Sequence, residues 1–386
     1  MTVPADLSGS RLGPPGNRRP PRRPEVARGA VTAADGLLLV DKDSGVTSHD
    51  VVAATRRLAA TRKVGHAGTL DPMATGLLVL GVGRATRLLT YLVGADKTYE
   101  ATIRLGQTTL TEDAEGEVVT SPGCPPPARW PDGAAGFSAR LASALAGLTG
   151  QIEQVPSAVS AIKVDGVRSY ARVRGGEDVR LPARPVTVHS LERRGAPRPA
   201  RSEDGTAVVD VDLTVSCSSG TYVRALARDL GTVLGCGAHL TALRRTTVGP
   251  FDVAEARDLA ALAAQVAADG ATPVPDTGPA DPDGGQAGGA PGPTGLTTMS
   301  PSEATKRCFA VVHLDEAEAA AVRRGQFLPG DVLGRAQDPA RPVAVKAVAA
   351  AGGEGLAAGF APDGHVVALL TRKDGRVRPV LVLDPA

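Results

Sequence analysis

The stretch from Lys63 to Leu80, KVGHAGTLDPMATGLLVL, constrains this chain more than any other. It sets one carboxylate, Asp71, after two glycines (Gly65 and Gly68), directly before Pro72, and ahead of a plain apolar run. Glycine admits positive φ and close backbone approach, while proline removes a backbone donor and biases the residue before it away from the helical region. Asp71 is therefore expected on an extended, stiffened loop that presents its side chain, with GLLVLGVG following as a buried strand. The same residue types also build ordinary turns, in which the aspartate merely caps the backbone.

Upstream, GLLLVDK reads as a short buried strand beginning at Gly36, and Ser48 followed by HDVVAATRRLAA carries a helix start and helical apolar spacing. Arg56, Arg57, Arg62 and Lys63 then stand immediately before the Asp71 loop. Four cations beside a presented carboxylate suit an anionic substrate; the alternative is a solvated face. Downstream, RATRLLTYLVG predicts a helix over about 84–93, and alternation from Tyr99 to Leu105 predicts a half-buried strand. Tyr99 is either a sheet-face residue or a stacking platform. FSARLASALAGLTG has the pattern of an amphipathic helix, and IEQVPSAVSAIKVDGVRSYARVRGG reads as an irregular stretch running into a short helix. PARPVTVHSLERR, TAVVDVDLTVSCSS and GAHLTALRRTTVGPF read as strands. In SSGTYVRALARDLG, Thr221 is placed to cap a helix whose first turn holds Tyr222 and Arg224. An arginine there opposes the helix dipole unless an acid answers it, either Asp71 or a neighbour such as Asp229.

These elements give an α+β pattern, with a mixed, mainly antiparallel sheet over residues 36–268, rather than regular β-α-β alternation. Residues 1–35, with six arginines against three acids and no apolar periodicity, are expected to be a disordered Arg/Pro-rich tail. Residues 269–303, with five acids and no basic residue, read as a disordered Gly/Pro linker. Residues 304–386 read as a small, mostly β unit, with a strand at CFAVVHL, a helix at DEAEAAAVRRGQFL and strands near PVAVKAVAA, HVVALLTRK and RVRPVLVL. The formal net charge of only +2 means that a polyanion would have to find a local patch. Four scattered cysteines (Cys124, Cys217, Cys236 and Cys308) show no metal-ligand spacing, which points to reduced thiols and no metal site. No apolar run reaches the roughly 18 residues of a membrane span, so a cytoplasmic protein without membrane association is expected.

The segments GLLLVDKDSGVTSHDVV, GHAGTLDPMATGLLVLGVGRATRLL, DKTYEATIRLGQTT, QVPSAVSAIKVDG and CSSGTYVRALARDLGTVLGCGAHLTALRRTTVG resemble the TruB family of tRNA pseudouridine synthases in order and spacing. They span essentially all of residues 36–268, and GHxGxLDPxAxG is a specific signature. The C-terminal unit is similar to the PUA-like tail of the family's actinobacterial type.

The resemblance implies a pseudouridine-synthase fold, with an RNA-clamping insertion near residues 120–165, and an isomerase that converts uridine 55 in the T arm of tRNA to pseudouridine. It implies that Asp71 is the essential aspartate, acting as a nucleophile or as a base on the ribose. Arg224 would keep it ionised, and Tyr99 would stack on the target base. Tyr222 and Leu243 would line the uracil pocket, and His66 would meet the T loop as the base is flipped. Arg56, Arg57, Arg62 and Lys63 would hold phosphates. No cofactor is implied, and a monomer is expected. Two departures, Val159 where relatives carry an aromatic and Ser219 where some carry a base, bear on RNA grip. The competing readings are a catalytically silent tRNA-binding or RNA-folding protein on the same scaffold, and a sugar hydrolase, which would need a second catalytic carboxylate.

Overall fold

The computed structural model describes residues 26–157, 163–164, 167–168, 181–270, 295–339 and 354–385. The short helix expected at the end of IEQVPSAVSAIKVDGVRSYARVRGG, the strand expected near PVAVKAVAA and Val159 lie outside these residues. Strands β1 (Gly36–Lys42), β2 (Val64–His66), β3 (Thr75–Val82), β4 (Lys97–Leu105), β7 (Gly150–Gln154), β10 (Arg184–Arg201), β11 (Ala207–Cys217), β12 (Ala238–Val248) and β13 (Phe251–Asp252) build one nine-stranded sheet. Its order is β1-β3-β12-β4-β11-β10-β7, with β2 on β3 and β13 on β12. Every pairing is antiparallel except β3 with β12, where Gly76 faces Arg245. Gly76 holds φ +98°, and a Cβ there would lie 2.2 Å from the Arg245 carbonyl oxygen, so only glycine permits this crossing. Two small hairpins, β5 (Thr108–Thr109) with β6 (Val118–Thr120) and β8 (Lys163–Val164) with β9 (Val167–Arg168), stand off the sheet.

The alternation in β4 and β11 becomes a half-buried surface: alternate residues such as Ala101, Ile103, Val211 and Leu213 are buried. Onto that face pack α3 (Gly133–Gly147) through Phe137, Leu141 and Leu145, and α4 (Val223–Val233) through Leu226 and Leu230. Each fully buried Leu or Phe side chain contributes about 1.5–3 kcal/mol. Around β1 and β3, a second cluster gathers Val51, Val52 and Leu58 of α1 (Ser48–Leu58) with Leu262 and Val266 of α5 (Leu259–Gly270). The helix expected over 84–93 is divided into a 3₁₀ turn, Gly83–Arg87, and the short α2 (Leu89–Leu92). The Thr86 hydroxyl bonds the Gly83 carbonyl there, which favours the tighter turn.

Residues 26–35, expected to be disordered, are packed: Val26 and Ala33 are buried in the α1 cluster, and Gly29 N–H donates to the Arg57 carbonyl at 3.0 Å. The far end of the expected linker is likewise engaged, because Leu296 is apolar and buried and Met299 exchanges backbone hydrogen bonds with Leu37. From there α6 (Pro301–Cys308) leads to β14 (Ala310–His313), α7 (Glu316–Arg323), β15 (Glu354–Phe360), β16 (Val366–Lys373) and β17 (Arg376–Val382), the last four strands in the order β14-β15-β16-β17. This mostly β unit shares a core with the main sheet, in which Phe309, Phe360 and Leu369 join Leu37, Leu77 and Phe251.

Candidate active site

The loop between β2 and β3 is fixed on both sides of Asp71. Before it, the buried hydroxyl of Ser48 accepts from Leu70 N–H at 2.9 Å and donates to the Leu70 carbonyl at 3.0 Å. After it, the Pro72 carbonyl accepts from Gly45 N–H at 2.8 Å and from Lys42 Nζ at 3.1 Å. Ser48 was read from the sequence as a helix start, but Thr47 is the cap and closes a capping box with Asp50; this frees the Ser48 hydroxyl for the loop. Lys42 is 1% exposed, and burial pushes its pKa down to about 8. Arg245, from β12, supports the loop from beneath, donating from Nε to the Leu77 carbonyl at 2.7 Å and from its two terminal nitrogens to the Thr69 and Gly68 carbonyls.

Asp71 keeps 36% of its side chain exposed, whereas the arginine opposite it keeps 5%. Arg224 Nη2 donates to Asp71 Oδ1 at 3.2 Å, and Nε lies 2.9 Å from Oδ2 without forming a hydrogen bond, so the two groups make an ion pair carried by a single hydrogen bond. Behind it, Arg224 Nη1 donates to the Thr111 carbonyl at 2.9 Å and stands 3.6 Å from Asp113, whose side chain is 4% exposed. The expected pairing of Arg224 with Asp71 is thus present, and the dipole-opposing arginine is answered by two carboxylates. Asp229 instead pairs with Arg228. Thr221 does not cap α4, since its hydroxyl donates to the Ser218 carbonyl. The cap residue is Tyr222, held between Gln154 Oε1, accepting from Tyr222 N–H at 2.8 Å, and Gln154 Nε2, donating to the Tyr222 carbonyl at 3.1 Å.

Asp71 and Arg224 open on a cavity of about 270 Å³ whose walls also include Tyr99, Tyr222 and Leu243. Burial raises the pKa of Tyr99, with Cys217 and Asp71 adding to the effect and Arg245 opposing it, so the phenol stays protonated near neutrality. Ser219 is at the rim, donating to the Val93 carbonyl at 2.7 Å.

His66 is outside the cavity lining, on β2, edge-on to His49 at 6.0 Å between ring centroids. Burial is the main cause lowering its pKa, and its Nδ1 is buried without a hydrogen-bond partner. The four cations before the loop stand apart from the cavity too, and all are exposed. Arg56 donates to the Val64 carbonyl, Arg57 donates to the Val26 carbonyl, and Lys63 borders another hollow with Arg84 and Arg87 beside the end of β17. The sequence reading missed Lys42, Lys97, Asp113 and Arg245, which reach the site from distant strands and turns. The only local signal for Lys97 was its position two residues before Tyr99.

Among the described residues, no group of His, Cys, Asp and Glu is arranged to hold a metal, and no helix is long and apolar enough to cross a membrane. The model of the TruB family pseudouridylate synthase N-terminal domain matches residues 56–223, that of the tRNA pseudouridylate synthase B C-terminal domain residues 224–273, and that of the tRNA pseudouridine synthase II C-terminal domain residues 343–384. The tRNA pseudouridine synthase B of Arthrobacter sp. (strain FB24) is 49% identical over 351 residues, 91% of this chain and 97% of that protein. That of Thermobifida fusca (strain YX) is 47% identical over 349 residues, 90% of this chain and 98% of its own length. An H/ACA ribonucleoprotein structure, bound to a substrate RNA containing 2′-deoxyuridine, has a chain that matches with a TM-score of 0.58 at 22% identity, covering 91% of this chain and 85% of that one; the likeness is one of fold.

Proposed function

The chain belongs to the TruB family of pseudouridylate synthases and is an isomerase that forms pseudouridine in tRNA, and from that premise we propose that its target is uridine 55 of the T arm and that Asp71 performs the chemistry. The observation that carries this reading is the ion pair of buried Arg224 with Asp71 at the edge of a cavity lined by Tyr99, Tyr222 and Leu243. A uridine in a folded loop is reached only by extrusion, and the aromatic and apolar walls replace the stacking it loses. Arg224 pairs with the carboxylate and orients it, as both a nucleophilic attack and a ribose proton abstraction require. Tyr99, kept neutral by burial, stacks on the base and has a proton to donate.

In this reading His66 meets the T loop, and Arg56, Arg57, Arg62 and Lys63 meet phosphates outside the cavity. Residues 36–268 form the catalytic unit, with the RNA clamp near 120–165, and the PUA-like unit at 304–386 adds RNA contacts. The protein acts as a cytoplasmic monomer without a cofactor. A tRNA transcript carrying uridine or cytidine at position 55, mapped for pseudouridine after incubation with the enzyme, tests the target. Modification at 55 in the first transcript and none in the second is expected; modification elsewhere, undiminished in the second, would overturn the assignment.

A further inference from the structure

The cavity has a second charged region that the chemistry of Asp71 leaves unused. Lys97, the first residue of β4, and Arg245 both line it and both are buried, at 7% and 1% exposure. Their fixed neighbours are uncharged: backbone carbonyls, and for Arg245 the Tyr99 hydroxyl as well. Arg245 donates to the carbonyls of Leu77, Thr69 and Gly68, and Lys97 Nζ donates to the Ala95 carbonyl at 2.6 Å and the Val93 carbonyl at 3.2 Å. An ammonium has three protons, so Lys97 retains one without a partner among the described residues. No carboxylate among those residues forms an ion pair with either cation. Of the charged groups facing Lys97, Asp96 is more than half exposed and paired with His189 at 3.1 Å, Cys217 is a neutral thiol on β11, and Arg245 repels. Burial first, then Arg245, lowers the Lys97 pKa to about 8.

Two buried cations without counter-charge are unfavourable in the empty enzyme, so the cavity is suited to an anion. The proposed reaction creates one. When the C1′–N1 bond breaks, its electron pair goes to N1 and spreads to the two ring oxygens, while the sugar carbon becomes electron-poor. Asp71 answers the sugar, and on either of its routes the base departs with the pair.

We propose that Lys97 is a further catalytic residue, which stabilises the departing uracil anion by donating its free N–H to a ring oxygen, with Arg245 as the fixed second cation. Lys97 stays an ammonium throughout. After the ring turns, C5 bonds to C1′ with an electron pair from the ring as the Asp71–sugar bond breaks or, on the other route, as Asp71 returns the ribose proton; the C5 proton is then released and N1 takes one up, so no outside reagent is needed. This inference rests on the Asp71 reading. It concerns electrostatic stabilisation where charge develops, the kind of interaction whose loss slows turnover rather than binding.

Lys97→Met and Lys97→Arg, in the full chain, are to be compared with the natural protein in single-turnover cleavage of the target linkage. The transcripts carry either uridine or 5-fluorouridine, whose ring is a less basic leaving group and needs less help. Lys97→Met is expected to lower the rate on uridine about 10²-fold, the typical effect of losing one preorganised donor. The loss should be clearly smaller on 5-fluorouridine, with tRNA affinity unchanged. In the natural protein the rate falls as pH rises through about 8, where Lys97 loses its charge, and Lys97→Arg moves that fall upward. Equal losses on both transcripts, a loss of affinity alone, or a pH profile unmoved in Lys97→Arg would overturn the proposal. If Lys97→Met fails to fold, the profile of Lys97→Arg decides. An inactive Asp71→Asn beside a fully active Lys97→Met would sink this inference alone, whereas an active Asp71→Asn would sink the reading beneath it.

Discussion

Two groups of cations in this molecule differ in what surrounds them. Arg56, Arg57, Arg62 and Lys63 are neighbours in sequence, precede the Asp71 loop and are exposed around the end of α1, where Arg56 and Arg57 each donate to a backbone carbonyl. Arg224 and Arg245 come from a helix and a strand far along the chain, are buried, and converge on that loop. In the exposed group each charge is hydrated and screened, so removing one changes little. In the buried group each cation orders something specific: Arg224 orders a carboxylate, and Arg245 orders the backbone that carries it. Proximity in sequence is therefore a poor guide to which charges govern the site; desolvation and geometry are better ones.

Substitutions that remove the same charge in the two groups should separate them. Arg224→Met leaves Asp71 misoriented and Asp113 buried without its cation. A loss of about 10³-fold or more in kcat is expected in single-turnover assays, with about 3–5 kcal/mol of stability lost in denaturant titration. Arg224→Lys keeps the charge but cannot reach both Asp71 and the Thr111 carbonyl as the planar guanidinium does, and about 10²-fold loss in kcat is expected. Ser48→Ala removes both clamps on Leu70 and leaves a buried N–H unpaired. It should lower stability by about 1–3 kcal/mol, read as a drop in thermal midpoint, and slow turnover by letting Asp71 wander. The double change Arg62→Ala with Lys63→Ala should leave kcat alone, weaken tRNA binding at low salt, and flatten the slope of log affinity against log salt by at most about 2. Arg57→Ala should be the mildest: it loses one hydrogen bond to the Val26 carbonyl, about 1 kcal/mol of stability, with no change in rate. An Arg57→Ala enzyme as slow as Arg224→Met would abolish the distinction.

Much of this was legible in the sequence where the determinant is local. The Gly and Pro residues around Asp71 announced a presented carboxylate, alternation announced β4 and β11, and the misplaced arginine at the start of α4 called for an acid partner. The reading failed where a local rule had a non-local competitor. Thr221 has the chemistry of a cap, yet Gln154 from β7 brackets the helix start and the Thr221 hydroxyl turns to Ser218. Residues 26–35 lack periodicity, yet Val26 and Ala33 suffice to fill the hollow under α1. Asp113, Lys97 and Arg245 carried little signal as single residues: Lys97 and Arg245 meet only through sheet order, which sets β4 beside β12, and Asp113 reaches Arg224 from the turn between β5 and β6.

The account depends most on Asp71, and Asp71→Asn, which keeps shape and replaces a carboxylate oxygen by an amide nitrogen, tests it most directly. Unmodified tRNA is incubated with saturating enzyme, and pseudouridine formation is followed alongside binding affinity. Near-natural affinity with no product is predicted. Product formed by Asp71→Asn within about tenfold of the natural rate, too small a loss for removing a group that itself makes or breaks a bond, would contradict the account.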